Sequence, residues 1–87
     1  MIINRVAFSD EGFEDYLYWQ KQDKKTLEKI NRLILDIQRN GAARGIEKAE
    51  PLRYRDGWSR RIDEKNRLLY QIIDETLLIT SCRGHYE

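Results

Sequence analysis

Residues 58–87 constrain the fold of this chain more than any other stretch. Leu68, Tyr70 and Ile72 alternate there with Arg67, Leu69 and Gln71, and polar breaks at 63–66 and 74–75 separate three such runs. Period-two alternation in short runs bounded by turn residues is the pattern of an antiparallel meander, because successive side chains on a strand point to opposite faces. If one face of that sheet packs on a core, Ser59, Arg61 and Arg67 lie together on the other. Arg83, the one histidine, His85, and Tyr86 follow the last run. Arginines, a histidine and a tyrosine on or beside one sheet face make a candidate site for chemistry on a phosphate.

The upstream half reads as the elements that would cover such a sheet. Residues 2–8 are short, apolar and partly alternating, which predicts a strand. Ser9 is a helix N-cap, and Asp10 and Glu11 place negative charge in the first turn, where the helix dipole favours it. Phe13, Tyr16, Leu17 and Gln20 recur at helical spacing, and Tyr18 and Trp19 widen the apolar side; Gly12 weakens this helix. Large aromatics at that spacing read as core or partner surface in preference to a base-stacking platform. Asp23 is a second N-cap. Leu27, Ile30, Leu33, Ile34 and Ile37 then form one apolar stripe, and Asn40-Gly41 stops the helix because glycine adopts the left-handed conformation of a C-cap. Residues 42–50 are small and polar without a period, so they form a loop with at most an irregular turn. Pro51 suits an edge strand or its start, and Asp56-Gly57 marks a turn. The order is one strand, two helices and about four strands. It predicts an α+β domain over 1–87 in which a helical pair covers one face of a mainly antiparallel sheet and leaves the other face open or concave.

Charge narrows the partners. The 87 residues hold 16 basic and 15 acidic side chains, net +1, a balance that gives no support to a nucleic-acid partner by itself. The positive charge is local: 44–61 carries six basic residues (Arg44, Lys48, Arg53, Arg55, Arg60, Arg61) against three acidic (Glu47, Glu50, Asp56). A single cysteine, Cys82, forms no intramolecular disulfide and no thiolate cluster; it reads as a small buried strand residue in a reducing cytosol. One histidine and one cysteine leave only carboxylates as metal ligands, with no clustered spacing, and no Gly-rich loop offers a nucleotide site, so no metal and no cofactor are expected. No apolar run reaches the ~20 residues that span a bilayer and no signal peptide is evident. The expectation is a soluble cytoplasmic protein.

Five segments carry a further resemblance. Asp15-Tyr16-Leu17-Tyr18-Trp19-Gln20, Glu50-Pro51-Leu52, Trp58-Ser59-Arg60-Arg61-Ile62, Asn66-Arg67-Leu68-Leu69-Tyr70 and Cys82-Arg83-Gly84-His85-Tyr86 resemble, in order and spacing, the YoeB (Txe) branch of the RelE superfamily of bacterial toxins. The resemblance implies a RelE-like fold and an mRNA interferase, an endoribonuclease that cuts messages in the ribosomal A site and is held inactive by a YefM-type antitoxin. It also implies homodimers. It assigns Glu50 as general base, His85 as general acid, Arg67 as the group holding the scissile phosphate, and Tyr86 as a stacking or positioning residue, with Arg61 and Arg53 supporting the phosphate and backbone. Three departures stand out: Glu87 follows the His-Tyr pair that usually ends such chains, Ala49 replaces a common proline, and Arg53 a common lysine.

The residue chemistry supports those roles without the likeness. Attack by a ribose 2′-OH needs a base beside it, cations on the phosphate and an acid on the leaving 5′-oxygen. Glu50, Arg67 with Arg61, and His85 supply one of each. Read alone, Glu50 is first a solvated loop carboxylate, and Arg60, Arg61 and Arg67 are equally rim charges paired with Asp63 and Glu64. The rival class is a non-catalytic toxin of the same fold, resembling the gyrase inhibitor ParE, which would not require the Glu50, Arg67, His85, Tyr86 set. Apolar surface at Tyr18, Trp19 and Tyr54 beside a basic groove suits an antitoxin segment that is disordered when free.

Overall fold

Ser9 and Asp23 open the two helices as their side chains predict. The computed structural model describes residues 3–84 and orders them as β1 (Arg5–Phe8), α1 (Asp10–Gln22), α2 (Lys24–Asn40), β2 (Glu50–Pro51), β3 (Trp58–Arg61), β4 (Arg67–Ile73) and β5 (Thr76–Ser81). Ser9 Oγ accepts from Gly12 N at 3.1 Å. Asp23 ends one helix and starts the next: its N–H donates to Trp19 O at 3.0 Å, and its carboxylate accepts from Lys25 N, Thr26 N and the Thr26 hydroxyl. The Thr26 hydroxyl bond, with the N–H bonds, holds the Asp23 carboxyl below its ordinary range. Gly41, at φ 95°, closes α2 by donating to Ile37 O at 2.8 Å.

The five strands run in the order β1-β5-β4-β3-β2. β2, β3, β4 and β5 are antiparallel in succession, whereas β1 joins the far edge parallel to β5, with Phe8 opposite Ile79. The sheet is therefore mixed, and its first strand starts at Arg5, later than the expected residue 2, which lies outside the described residues. On one face the α2 stripe of Ile30, Leu33 and Ile37 meets Leu68, Tyr70, Leu77 and Ile79 in a common core, all of them fully buried. Leu69 belongs to the opposite phase yet is also buried, flanked by Ser59 and Ser81 in register.

Gly12 costs α1 some intrinsic stability and has a packing reason. A Cβ there would lie 2.3 Å from the Ile79 carbonyl oxygen, so only glycine lets the helix lie this close to β5. The junction is fastened by Ser9 N to Ile79 O at 3.0 Å and Ser9 Oγ to Thr80 O at 3.2 Å.

Arg60 is no rim charge. It alternates in phase with Trp58 and Ile62, faces the core, and is 0% exposed. Its guanidinium is paired and saturated: Nε donates to the Tyr70 hydroxyl (2.9 Å), Nη1 to Asp36 Oδ2 (2.7 Å) and Ile46 O (2.9 Å), and Nη2 to the carbonyls of Gly41 (3.0 Å), Ala42 and Arg44. Burial pushes the Tyr70 phenol up, so it stays protonated and donates to Ala42 O at 2.6 Å. One cation thus ties α2, β3 and β4 to the loop after α2, whose backbone has no ladder of its own. Gly45 is pressed against the pair, where a Cβ would meet Asp36 Oδ2 at 1.7 Å.

Arg60→Ala is expected to lose about 3–5 kcal/mol, because removing one partner of a buried pair strands the other charge and its carbonyls; urea unfolding measures it, and a loss under about 1 kcal/mol would show the clamp to be dispensable. Burial raises the Asp36 carboxyl, but the bonds from Arg60, Ile46 N–H and Asn40 outweigh it and leave the group below its ordinary range. A depressed folded value means that this contribution is full above the unfolded carboxyl range and is lost as pH falls through the folded one.

Candidate functional site

The site is built at the β2 edge of the sheet. β2 has two residues: Glu50 pairs with Ser59, and Pro51 with Trp58. Proline has no N–H to give an outer neighbour, so the sheet stops here. β4 begins at Arg67, opposite Arg61 on β3. The pleat puts Glu50, Ser59, Arg61 and Arg67 on the face away from the helices. Arg67 Nη2 donates to Glu50 Oε1 at 2.7 Å, and Arg67 Nε to Ser59 Oγ at 3.1 Å. The Arg67 side chain is 19% exposed and that of Glu50 55%, so the cation is set into the wall while the carboxylate stands outward.

The neighbouring charges have defined places. The Asp63 carboxylate is taken by its own turn, accepting from Lys65 N and Asn66 N at 2.8 Å each. Arg61 reaches the Asp63 backbone carbonyl, at 3.3 Å, and is otherwise exposed. Arg60 and Arg67 thus pair with Asp36 and Glu50, not with Asp63. Arg53 lies in the exposed connection after β2. A further carboxylate, Glu47, was not singled out by sequence; its only signal was its place in the basic stretch. Lys29 Nζ on α2 holds it at 2.6 Å. That hydrogen bond keeps the Glu47 carboxyl below its ordinary range against opposing burial, and the charges of Lys29, Arg61 and Arg67 push the same way.

The segment leading to the C-terminus is fixed by α1. Trp19 Nε1 donates to Cys82 O at 2.8 Å, the Asp15 carboxylate accepts from Cys82 N at 3.0 Å, and the Arg83 guanidinium lies 3.6 Å over the Tyr18 ring. Gly84 then joins the start of β4: its N–H donates to Asn66 Oδ1 at 2.7 Å and its carbonyl accepts from Arg67 N at 3.1 Å. His85 and Tyr86, two of the expected site residues, lie outside the described residues, as does Glu87. The expectation of spare apolar surface is corrected in part. Trp19 is buried, Tyr18 is half-covered beneath Arg83, and Tyr54 is the strongly exposed one of the three. The work of Trp19 and Tyr18 is to anchor Cys82 and Arg83, a use that helical spacing alone does not reveal. Burial pushes the Cys82 thiol up to about 12, with the Asp15 charge adding to it, so this cysteine stays a thiol.

Glu50 and Arg67 together can take a proton and hold an anion at adjacent points, with Arg61 as a second cation across the strand pair. Among the described residues no three His, Cys, Asp or Glu side chains gather in metal-binding geometry, and no helix is long and apolar enough to cross a membrane.

Residues 8–86 match the family model of the YoeB-like toxin of bacterial type II toxin-antitoxin systems. The chain is 46% identical over 84 residues to toxin YoeB of Escherichia coli K12, across 94% of this chain and 99% of that protein. Its fold is similar to the structure of the YoeB dimer from Staphylococcus aureus, with a TM-score of 0.89, 45% identity, and coverage of 97% of this chain and 99% of that one. A YoeB-YefM complex from Staphylococcus aureus contains a chain similar at a TM-score of 0.87 and 43% identity, over 99% of this chain and 100% of that one.

Proposed function

Because the chain belongs to the YoeB-like toxin family of bacterial type II toxin-antitoxin systems, we propose that it is a ribosome-dependent mRNA interferase, an endoribonuclease that cuts messages in the 30S A site and so inhibits translation in the cytoplasm. The observation that carries the reading is the Glu50–Arg67 contact of 2.7 Å, which sets a proton acceptor beside a partly buried cation. Arg67 holds the scissile phosphate, with Arg61 and Arg53 along the backbone. The phosphate replaces Glu50 on Nη2, while the Nε bond to Ser59 keeps the guanidinium aimed. Released from Arg67, Glu50 takes the proton of the 2′-OH. The 2′-oxygen attacks phosphorus, the bond to the 5′-oxygen breaks, and His85 gives that oxygen its proton. Tyr86 stacks on or positions a base. Both assignments rest on the family motif; the described chain runs to Gly84, whose carbonyl accepts from Arg67 N at 3.1 Å.

The products are a 2′,3′-cyclic phosphate and a 5′-OH, and the protein itself needs no metal. The test is end chemistry on a programmed ribosome: a message with deoxyribose 5′ to the cut resists cleavage. Cutting of that message, or 5′-phosphate ends, would assign the chemistry to water and remove Glu50 and His85 from their roles. The relatives in the Staphylococcus aureus structures assemble as a dimer and with YefM; we extend both to this chain as a homodimer and a YefM-like antitoxin that covers the basic groove.

A further inference from the structure

Glu50 is carried by the shortest strand of the sheet. Its β2 partner is a proline, and the ladder beyond it amounts to Leu52 N donating to Gly57 O at 3.0 Å. Upstream, the Arg60–Asp36 clamp reaches no further than Ile46, whose N–H donates to Asp36 Oδ2 and whose carbonyl accepts from Arg60, both at 2.9 Å. The next residue, Glu47, is fastened differently. Its backbone is in the left-handed region at φ 54°, where a side chain is sterically disfavoured and glycine is not, yet its carboxylate is held by Lys29 Nζ at 2.6 Å. Lys29 belongs to α2, whose adjacent Ile30 is fully buried in the core, so the strap is anchored on a rigid element.

We propose that Lys29 and Glu47 are positioning residues that extend the clamp from Ile46 into β2 and so hold Glu50 in register against Arg67. The inference rests on the reading of Glu50 as the base. A carboxylate displaced by an ångström or less still lies over the site, but the proton transfer it must make is sensitive to that distance. The side chain at position 47 therefore acts on the cleavage step and not on RNA capture, for which Arg61 and Arg67 remain. Glycine at 47 relieves the backbone and deletes the strap, which separates positioning from stability.

The experiment compares Lys29→Ala, Glu47→Gly, the double variant and the charge swap Lys29→Glu/Glu47→Lys in single-turnover cleavage on a programmed ribosome, with amide hydrogen exchange on the free proteins. Each single variant is expected to cut about tenfold more slowly at saturation with ribosome affinity unchanged, the double variant no more slowly than either, and the swap to recover most of the rate. Exchange at 47–50 should rise about tenfold in Lys29→Ala while the Arg60-bound loop stays protected. Additive losses, an unrecovered swap, or a loss confined to affinity overturns the proposal. Unchanged exchange at 47–50 overturns it whether or not RNA is cut. A wild-type chain that fails to cut on the ribosome would instead overturn the interferase reading, and the exchange result would still decide the strap.

Discussion

Glu50→Gln is expected to slow cleavage by roughly 10²- to 10⁴-fold, the range for losing one acid–base partner. The substitution is nearly isosteric, and the amide oxygen can still accept from Arg67 Nη2, now 2.7 Å from the carboxylate. What disappears is the capacity to take a proton. Because the Glu50 side chain is 55% exposed, its ion pair contributes at most about 1 kcal/mol, so the variant should unfold at close to the wild-type urea concentration. Ribosome affinity should hold or improve slightly, since a negative charge has left the groove. Single-turnover rates at saturating protein separate these effects. A rate within a few fold of wild type would return Glu50 to the solvated carboxylate that its loop position also allowed.

The caps and the strand phases were legible in the sequence because each depends on residues within a few positions. Ser9, Asp23 and Gly41 announce the helix ends through backbone groups they bond locally. Leu68, Tyr70 and Ile72 announce a buried face through the pleat. Strand partnership is different in kind. The parallel seat of β1 against β5 joins residues about seventy positions apart, such as Arg5 and Thr76, and alternation fixes the face of a strand but not its neighbour. Arg60 shows the same limit. Its phase, shared with Trp58 and Ile62, already pointed inward, and the ordinary preference of arginine for water pointed out. What decides is Asp36, 24 residues upstream on α2, with carbonyls of the intervening loop that no local pattern places. The site divides along the same line. The motif order brought out Glu50 and Arg67, whose side chains meet across β3 at 2.7 Å, whereas Ser59 as the Arg67 aiming group and Glu47 with Lys29 emerge only from contacts between elements.

Arg67→Lys tests the feature of the site that charge alone does not supply. Arg67 donates in two directions at once, Nε to Ser59 at 3.1 Å and Nη2 to Glu50 at 2.7 Å, and the rigid plane of the guanidinium fixes the spread between them. In the reaction proposed above, the Ser59 bond would keep that plane in place while the other edge meets the phosphate, whose charge grows as the 2′-oxygen attacks. Lysine delivers one nitrogen on a flexible stem. It can follow Ser59 or the phosphate, and it offers no paired donors to the developing charge. The expected loss is on the order of 10²-fold in the cleavage step, the size typical of one electrostatic stabiliser, with ribosome affinity little changed because the positive charge remains. Ser59→Ala is the companion measurement: it leaves the fork intact and removes only its rest, so it should cost less than Arg67→Lys and little further in combination with it. Near-normal cutting by Arg67→Lys would mean that a point charge suffices and that the planar contact with Glu50 serves the resting site alone.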